Sequence, residues 1–248
     1  MPSRRWALPP RGQGVRVICC ELARISAHLL GVGCYAMDVG AMTVFLYTFT
    51  QRETVYNICE QISGARFTTS YTRVGGQTRD ISSQTLKDIL KFCDEVSGVI
   101  DEVDKLLTRN PIFIGRTRDV GHISKDDAIG YGLTGPNLRG SGVEFDMRKN
   151  HPYLGYENYE FDIPVGEVGD SFDRYLIRME EMRQSVKILR QACRSLPDGP
   201  INITDPKGML PDKERVMMSM EELIHHFIVS TQGIDAPEGE VYFGAENP

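Results

Sequence analysis

Apolar side chains recur at helical spacing over most of the first hundred residues. The first such stretch follows Pro9 and Pro10 and runs from Val15 into the thirties, with apolar residues three or four positions apart. A second helix is predicted over residues 41–62, because its pattern is followed by Gly64, a frequent helix stop. Both segments are expected to be buried, close-packed helices.

The strongest amphipathic pattern lies between Leu86 and Leu107, where one face is apolar and the opposite face is charged. Pro111 is expected to close this helix. Ser124 and Asp127 have the spacing of a capping box, which predicts a short helix that reaches about Tyr131.

The second half of the chain alternates between loop-like and helical composition. Glycine, proline and aromatic residues predominate over residues 132–169, which predicts loops and short strands there. A long helix capped by an aspartate is predicted over residues 170–196, and a final one over residues 219–231. The run over residues 67–74 is compatible with extended structure. We therefore predict a mainly α fold with a minor strand component, in a single domain over residues 1–248.

Composition and charge narrow the class of protein. The hydrophobic fraction is 41%, the charged fraction 25% and the formal net charge −6, which fit a globular protein and argue against a nucleic-acid binder. The N-terminal segment over residues 1–11 has no apolar stretch long enough for a signal peptide. The apolar segment over residues 28–49 approaches the length of a membrane span, but Asp38 interrupts it, so we predict a non-membrane-spanning protein.

No motif of a self-contained active site is found in the sequence. It contains no G-x-G-x-x-G, P-loop, H-E-x-x-H or G-x-S-x-G pattern. The six cysteines form no C-x-x-C pair, so they are interpreted as small buried side chains in a reducing compartment. We expect no metal and no cofactor bound by ligands of this chain.

Two single residues are candidates for chemistry. His28 lies near the apolar side of the first helix, where it is either a hydrogen-bonded core histidine or a donor to a redox centre that titrates with it. Asp38 is interpreted as a buried acid that caps a broken helix next to Gly40 or pairs with Arg139 or Arg148.

Longer strings of residues run along nearly the whole chain. They include Glu21-Leu22, Arg24-Ile25, His28-Leu29, Asp38-Val39-Gly40, Arg52-Glu53, Gly135-Pro136, Leu138-Arg139-Gly140-Ser141-Gly142, Asp146-Met147-Arg148-Lys149, Asp173-Arg174-Tyr175, Glu180-Glu181-Met182-Arg183 and Leu223-Ile224-His225-His226-Phe227. In this order, they resemble the D-type subunit of respiratory complex I, which is the 49 kDa subunit family. This family is related to the large subunits of nickel–iron hydrogenases, so the resemblance implies a hydrogenase-large-subunit-like helical bundle with a few short strands.

The resemblance also implies a function. The 49 kDa subunit belongs to NADH:quinone oxidoreductase, a proton translocase, and lies against the partner subunit that holds the terminal [4Fe–4S] cluster. Electrons from NADH reach quinone between them. His28 matches a histidine close to that cluster, and Arg24, Asp38, Arg139 and Arg148 are supporting buried charged candidates; no residue is assigned as catalytic.

Partners and location follow from the same resemblance. We expect contacts with other peripheral-arm subunits of complex I, above all the terminal-cluster subunit and the C-type subunit, an indirect contact with the membrane arm, and no nucleic acid. The protein would lie on the cytoplasmic side of the bacterial inner membrane or the matrix side of the mitochondrial one.

Three interpretations stay open. The family's N-terminal β region, with its quinone-head ligands, and its C-terminal section are expected to be missing, so the chain is interpreted as an internal fragment, a truncated gene model or an isolated domain. One alternative is the large subunit of a membrane-bound energy-converting nickel–iron hydrogenase, whose two C-x-x-C pairs would fall outside this segment. The other is a non-catalytic scaffold fragment, and the isolated chain is expected to be inactive.

Overall fold

Ten α-helices and one two-stranded sheet make up the part of the chain that the structure, a computed structural model, describes. That part comprises residues 7–205, 207–235 and 238–247; residues 1–6, within the N-terminal segment expected to lack a signal peptide, lie outside it. The elements in chain order are α1 (Pro10–Asp38), α2 (Met42–Ser63), β1 (Thr72–Arg73), β2 (Gly76–Gln77), α3 (Ser83–Leu107), α4 (Pro111–Thr117), α5 (Lys125–Gly130), α6 (Gly135–Gly140), α7 (Met147–Asn150), a 3-10 turn (Tyr156–Asn158), α8 (Ser171–Ser195), α9 (Lys213–Met218) and α10 (Met220–Thr231). The prediction of a mainly α fold is confirmed.

Four long helices, α1, α2, α3 and α8, form the core of the fold. α1 packs against α2 and α8, while α3 packs against both α8 and α2. Ile18 and Ile25 of α1, Ile89 of α3 and Ile188 and Leu189 of α8 are all fully buried. Burial of such side chains supplies most of the favourable free energy of folding.

Close contact between α1 and α2 depends on Gly33. A Cβ atom at this position would lie 2.4 Å from Oγ1 of Thr48, so only glycine lets the two helices approach this closely. α1 is long and apolar enough to cross a membrane by length and composition, and 61% of its most apolar window is buried inside the protein. A core helix of a globular protein has the same properties.

Local capping signals decide where several helices begin. The side chain of Ser124 accepts a hydrogen bond from the amide of Asp127, as predicted, and the carboxylate of Asp170 accepts one from Asp173 at the start of α8. The prediction for Pro111 was wrong, because α3 ends at Leu107 and Pro111 instead opens α4. Proline suits the first turn of a helix, where its missing N–H has no partner to lose.

The segment over residues 132–169 departs from the prediction. All of it is described and none of it forms a strand; it contains α6, α7 and the 3-10 turn. Its backbone packs against itself instead, since the amide of Gly166 donates to the carbonyl of Arg139 at 2.9 Å. A Cβ atom on Gly166 would lie 2.6 Å from the carbonyl oxygen of Gly140, so glycine permits this contact.

Candidate functional site

A buried carboxylate on α8 joins two of the candidate residues. Nε2 of His28 lies 2.6 Å from Oε2 of Glu181, and Nε of Arg139 donates to Oε1 of the same carboxylate at 2.7 Å. All three side chains are almost completely excluded from solvent. The geometry follows from the packing of α1 on α8, with Arg139 in the last turn of α6.

The C-terminal segment adds another carboxylate to this group. Nη1 of Arg139 donates to Oε1 of Glu246 at 2.8 Å and to the carbonyl oxygen of Phe145 at 2.9 Å. The second carboxylate oxygen of Glu246 accepts from the amide of Met147 at 3.1 Å. The backbone carbonyl of Glu246 accepts from Nη2 of Arg24 at 3.0 Å. Glu246 therefore connects α1, α6 and α7.

A second cluster surrounds Glu21, which is fully buried on α1. Its carboxylate accepts hydrogen bonds from Nη1 of Arg148 at 3.1 and 3.2 Å and from the hydroxyl of Tyr156 at 2.6 Å. Nε of Arg24 lies 3.6 Å from it. Arg148 also forms a bidentate pair with Asp146 through Nε and Nη2. Such fork-to-fork geometry makes this one of the stronger kinds of ion pair.

The two clusters form one network, which we call the charge network. Nη1 of Arg139 lies 3.9 Å from Oδ2 of Asp146, which joins the cluster around Glu181 to the cluster around Glu21. The charge network contains four carboxylates, three guanidiniums and one imidazole, which are Glu21, Asp146, Glu181, Glu246, Arg24, Arg139, Arg148 and His28. The four carboxylates carry one negative charge more than the three guanidiniums offset, so protonation of the His28 imidazole would make the network neutral.

Burial and ion pairing shift the titration of the central pair. Burial lowers the pKa of His28, and the positive charges of Arg24 and Arg178 lower it further, while the hydrogen bond to Glu181 acts in the opposite direction. Burial alone would raise the pKa of Glu181, but His28 and Arg139 lower it to about 2. At neutral pH, a neutral His28 can therefore donate Nε2–H to an ionised carboxylate.

Comparison with protein families identifies the chain. The family described as the respiratory-chain NADH dehydrogenase, 49 kDa subunit, matches residues 38–248. The chain belongs to this 49 kDa subunit family. Its relatives include the D-type subunits of the NADH-quinone oxidoreductases of Methylacidiphilum infernorum, 60% identical, and Akkermansia muciniphila, 58% identical, each over 98% of this chain. The chain spans 58% and 59% of the length of these two relatives.

Four of the five candidate residues of this 49 kDa family member lie together in the charge network. They are His28, Arg24, Arg139 and Arg148. The prediction for Asp38 was wrong: it is exposed at the end of α1 and, among the described residues, has no ion pair. The helix ends there and the chain turns towards α2, so its carboxylate stays in water, where an unpaired charge costs little.

The carboxylates that hold these cations were missed by sequence reasoning. Glu181 lies on a buried stripe of α8 with Ile177, Ser185 and Ile188, at helical spacing. That stripe is a signal that could have revealed Glu181, because a lone acid among regularly spaced buried positions requires a partner. Glu246 lies in a segment without regular structure, and nothing in its local pattern points inward.

The described residues do not form a metal centre. No group of three or more His, Cys, Asp or Glu side chains among them could hold a metal ion. Burial raises the pKa of Cys59 to about 11 and that of Cys93 to about 12, so these thiols are protonated and poorly suited to bind iron. Among the described residues, no set of side chains therefore fits an iron–sulfur cluster.

Proposed function

We propose that the chain is a subunit of NADH:quinone oxidoreductase and forms part of its quinone-reduction module. It would lie next to a [4Fe–4S] cluster held by a partner subunit, where electron transfer is coupled to proton translocation. Membership of the 49 kDa family supports this proposal, as do the names of its relatives. Turnover would belong to the assembled complex, and the isolated chain would be inactive.

The contact between His28 and Glu181 carries the mechanistic part of the proposal. A cluster in the partner subunit would supply one-electron transfer, and this chain would supply a proton site close to it. His28 suits that role because its pKa is lowered by burial while Glu181, itself bound by Arg139, holds the ring in place. Negative charge arriving nearby would favour protonation of the imidazole, which the 2.6 Å contact with Glu181 stabilises.

Exposed apolar side chains on α9 and α10 support assembly with other proteins. Met217, Met218 and Met220 are each more than three-quarters exposed, and Phe227 is 66% exposed. Clusters of exposed methionine and phenylalanine are typical of protein interfaces. We propose that the partners are other peripheral-arm subunits, including the cluster-bearing subunit and the C-type subunit, with the complex at the inner face of the energy-converting membrane.

Replacing His28 with methionine in the full complex tests the proton site. The midpoint potential of the partner's terminal cluster is measured by redox titration between pH 6 and 8, followed by electron paramagnetic resonance. A coupled one-proton, one-electron step gives about 59 mV per pH unit. His28→Met should abolish this slope, because methionine takes up no proton.

His122→Met is the matched control, since it removes an exposed imidazole between α4 and α5, outside the charge network. It should leave the slope unchanged. A slope in His28→Met equal to that of the wild type would show that His28 has a structural role only. Absence of the chain from an active, purified complex would refute the proposal that it is a subunit at all.

A further inference from the structure

A small cavity lies between α1, α6 and α8, one helical turn from the contact between His28 and Glu181. Its volume is about 290 Å³. Its wall includes Gly31, Tyr35, Asn137, Ser171, Arg174 and Arg178. We propose that this cavity binds a carboxylate group through the guanidiniums of Arg174 and Arg178.

Both guanidiniums are held in place by uncharged acceptors. Arg174 donates to the carbonyl oxygens of Gly169 and Gly121, each at 2.9 Å. Arg178 donates to the carbonyl oxygen of Arg174 at 2.9 Å and to Oδ1 of Asn137 at 3.3 Å. Among the described residues, no carboxylate lies within ion-pair distance of either arginine. These contacts orient two positive charges at one cavity, and neither is engaged in a direct ion pair among the described residues.

The acids nearest to the cavity are already engaged. Glu181 is bound by His28 and Arg139. Asp170 accepts from backbone amides through both oxygens, and Oδ2 of Asp173 accepts from the backbone amides of residues 167–169. None of these carboxylates can turn towards the arginines without giving up buried or capping hydrogen bonds.

The environment of Arg178 disfavours its charged form. Burial is the main cause that lowers its pKa; the negative charge of Glu181 opposes this, and the like charges of Arg174 and Arg139 add to it. In a protein with a formal net charge of −6, Arg174 and Arg178 place two positive charges at one cavity. A bound anion would relieve the repulsion between neighbouring guanidiniums.

The two guanidiniums favour a planar anion such as a carboxylate. The cavity volume of about 290 Å³ is ample for a carboxylate together with the small group that carries it. Guanidinium forks match carboxylates with two parallel hydrogen bonds. The carboxylate has two possible sources, a free small acid or an acidic side chain of a neighbouring protein in the complex.

The first experiment uses the purified 248-residue chain and acetate as the probe. The Nε–H resonance of Arg178 is followed by nuclear magnetic resonance during titration with sodium acetate, against sodium chloride at equal ionic strength. A saturable shift specific to acetate is expected. Arg178→Gln should weaken the acetate-dependent change in thermal stability at least tenfold, whereas Arg183→Gln, on the exposed side of α8, should leave it unchanged.

Gly31→Leu fills the cavity while both arginines stay in place. It therefore separates loss of binding from any other effect of removing Arg178. A Cβ on Gly31 would lie 3.8 Å from Nε of Arg178, which is ordinary contact, so Gly31→Ala should bind acetate normally. The longer leucine side chain extends into the cavity and should abolish acetate binding with both arginines intact. Acetate binding by Gly31→Leu equal to that of Gly31→Ala would place any bound anion elsewhere and overturn the proposal for this cavity.

The second experiment rests on the proposed function and asks whether a protein supplies the carboxylate. Arg178→Lys places an amine at the cavity, and a carbodiimide couples amines to carboxylates in direct contact. In the assembled complex, a cross-link from residue 178 to an acidic residue of another protein assigns the site to a contact between subunits. An acetate effect without that cross-link assigns it to a free acid.

The absence of both an acetate effect and a cross-link would overturn the proposal. Arg183→Lys serves as the positive control for coupling, because Asp101 lies 3.4 Å from Nη2 of Arg183. Failure of the chain to enter a complex would count against the proposed function alone, since the acetate titration needs no partner.

Discussion

Removing the charge of Glu21 should destabilise the fold by about 3 kcal/mol. The side chain is fully buried and accepts from Arg148 with both oxygens, at 3.1 and 3.2 Å, and from Tyr156. Glutamine has the same shape but leaves Arg148 and Arg24 one negative charge short. Breaking a buried ion pair costs about 3–5 kcal/mol, and we expect the lower end because Arg148 keeps Asp146.

Urea denaturation at pH 7, followed by circular dichroism, measures this cost. Glu180→Gln is the matched control: its carboxylate lies 3.4 Å from Arg183, but it is 41% exposed, so the loss should be below about 1 kcal/mol. A loss of 3 kcal/mol corresponds to a fall in Tm of roughly 6–12 °C for a chain of this size. Equal losses in Glu21→Gln and Glu180→Gln would refute the reasoning.

A double variant separates the ion pair from the shape of the site. Arg148→Met removes the cation that Glu21→Gln leaves under-neutralised, although it also releases Asp146. If the charges are coupled, the double variant should be at least about 1 kcal/mol more stable than the sum of the single losses implies. Strict additivity would show that Glu21 and Arg148 contribute independently, contrary to their direct contact.

Two further predictions concern helix packing and pH. Gly33→Ala should destabilise the fold by about 1–3 kcal/mol, because its Cβ would lie 2.4 Å from Oγ1 of Thr48. The control is Gly98→Ala, whose Cβ would have no neighbour within 4 Å; it should stabilise α3 by about 0.5–1 kcal/mol in the same urea assay. The free energy of unfolding should fall below about pH 6.5, because the lowered pKa of His28 means that the unfolded state takes up its proton first. It should fall again below about pH 4.3, where protonation of Glu181, with its pKa of about 2, also favours the unfolded state. His28→Gln should remove the first decline, and a decline that persists unchanged would contradict this assignment.

The long helices were predictable because their signals are local. α3 has apolar residues at a strict helical spacing, and Ser124 and Asp170 cap their helices as the sequence indicates. The role of Pro111 was predicted wrongly because a proline is found both after the end of one helix and in the first turn of the next. The short helices of residues 132–169 were missed since they depend on contacts with α8 and with the C-terminal segment rather than on their own periodicity.

The charge network was predictable only in part, because its pairs are distant in sequence. His28 and Glu181 are 153 residues apart, and Glu21 and Arg148 are 127 apart. The sequence indicated the cations and the histidine, but it offered Asp38 as one partner for Arg139 or Arg148, and the end of α1 places Asp38 in solvent. Pairing across such separations is decided by how α1, α6 and α8 pack.

The charge network is better explained by function than by stability. Buried ion pairs contribute little net stability compared with well-packed apolar residues, so stability alone gives weak reason to bury eight ionisable groups together. Its ion pairs hold the pKa of Glu21 and Glu181 below the usual range and that of Arg148 above it, which fixes their charges at physiological pH. Within the network, His28 is the one side chain whose ordinary pKa lies near neutrality. In the proposed function, His28 is therefore the member of the network best suited to take up a proton, and the surrounding charges determine how readily it does so.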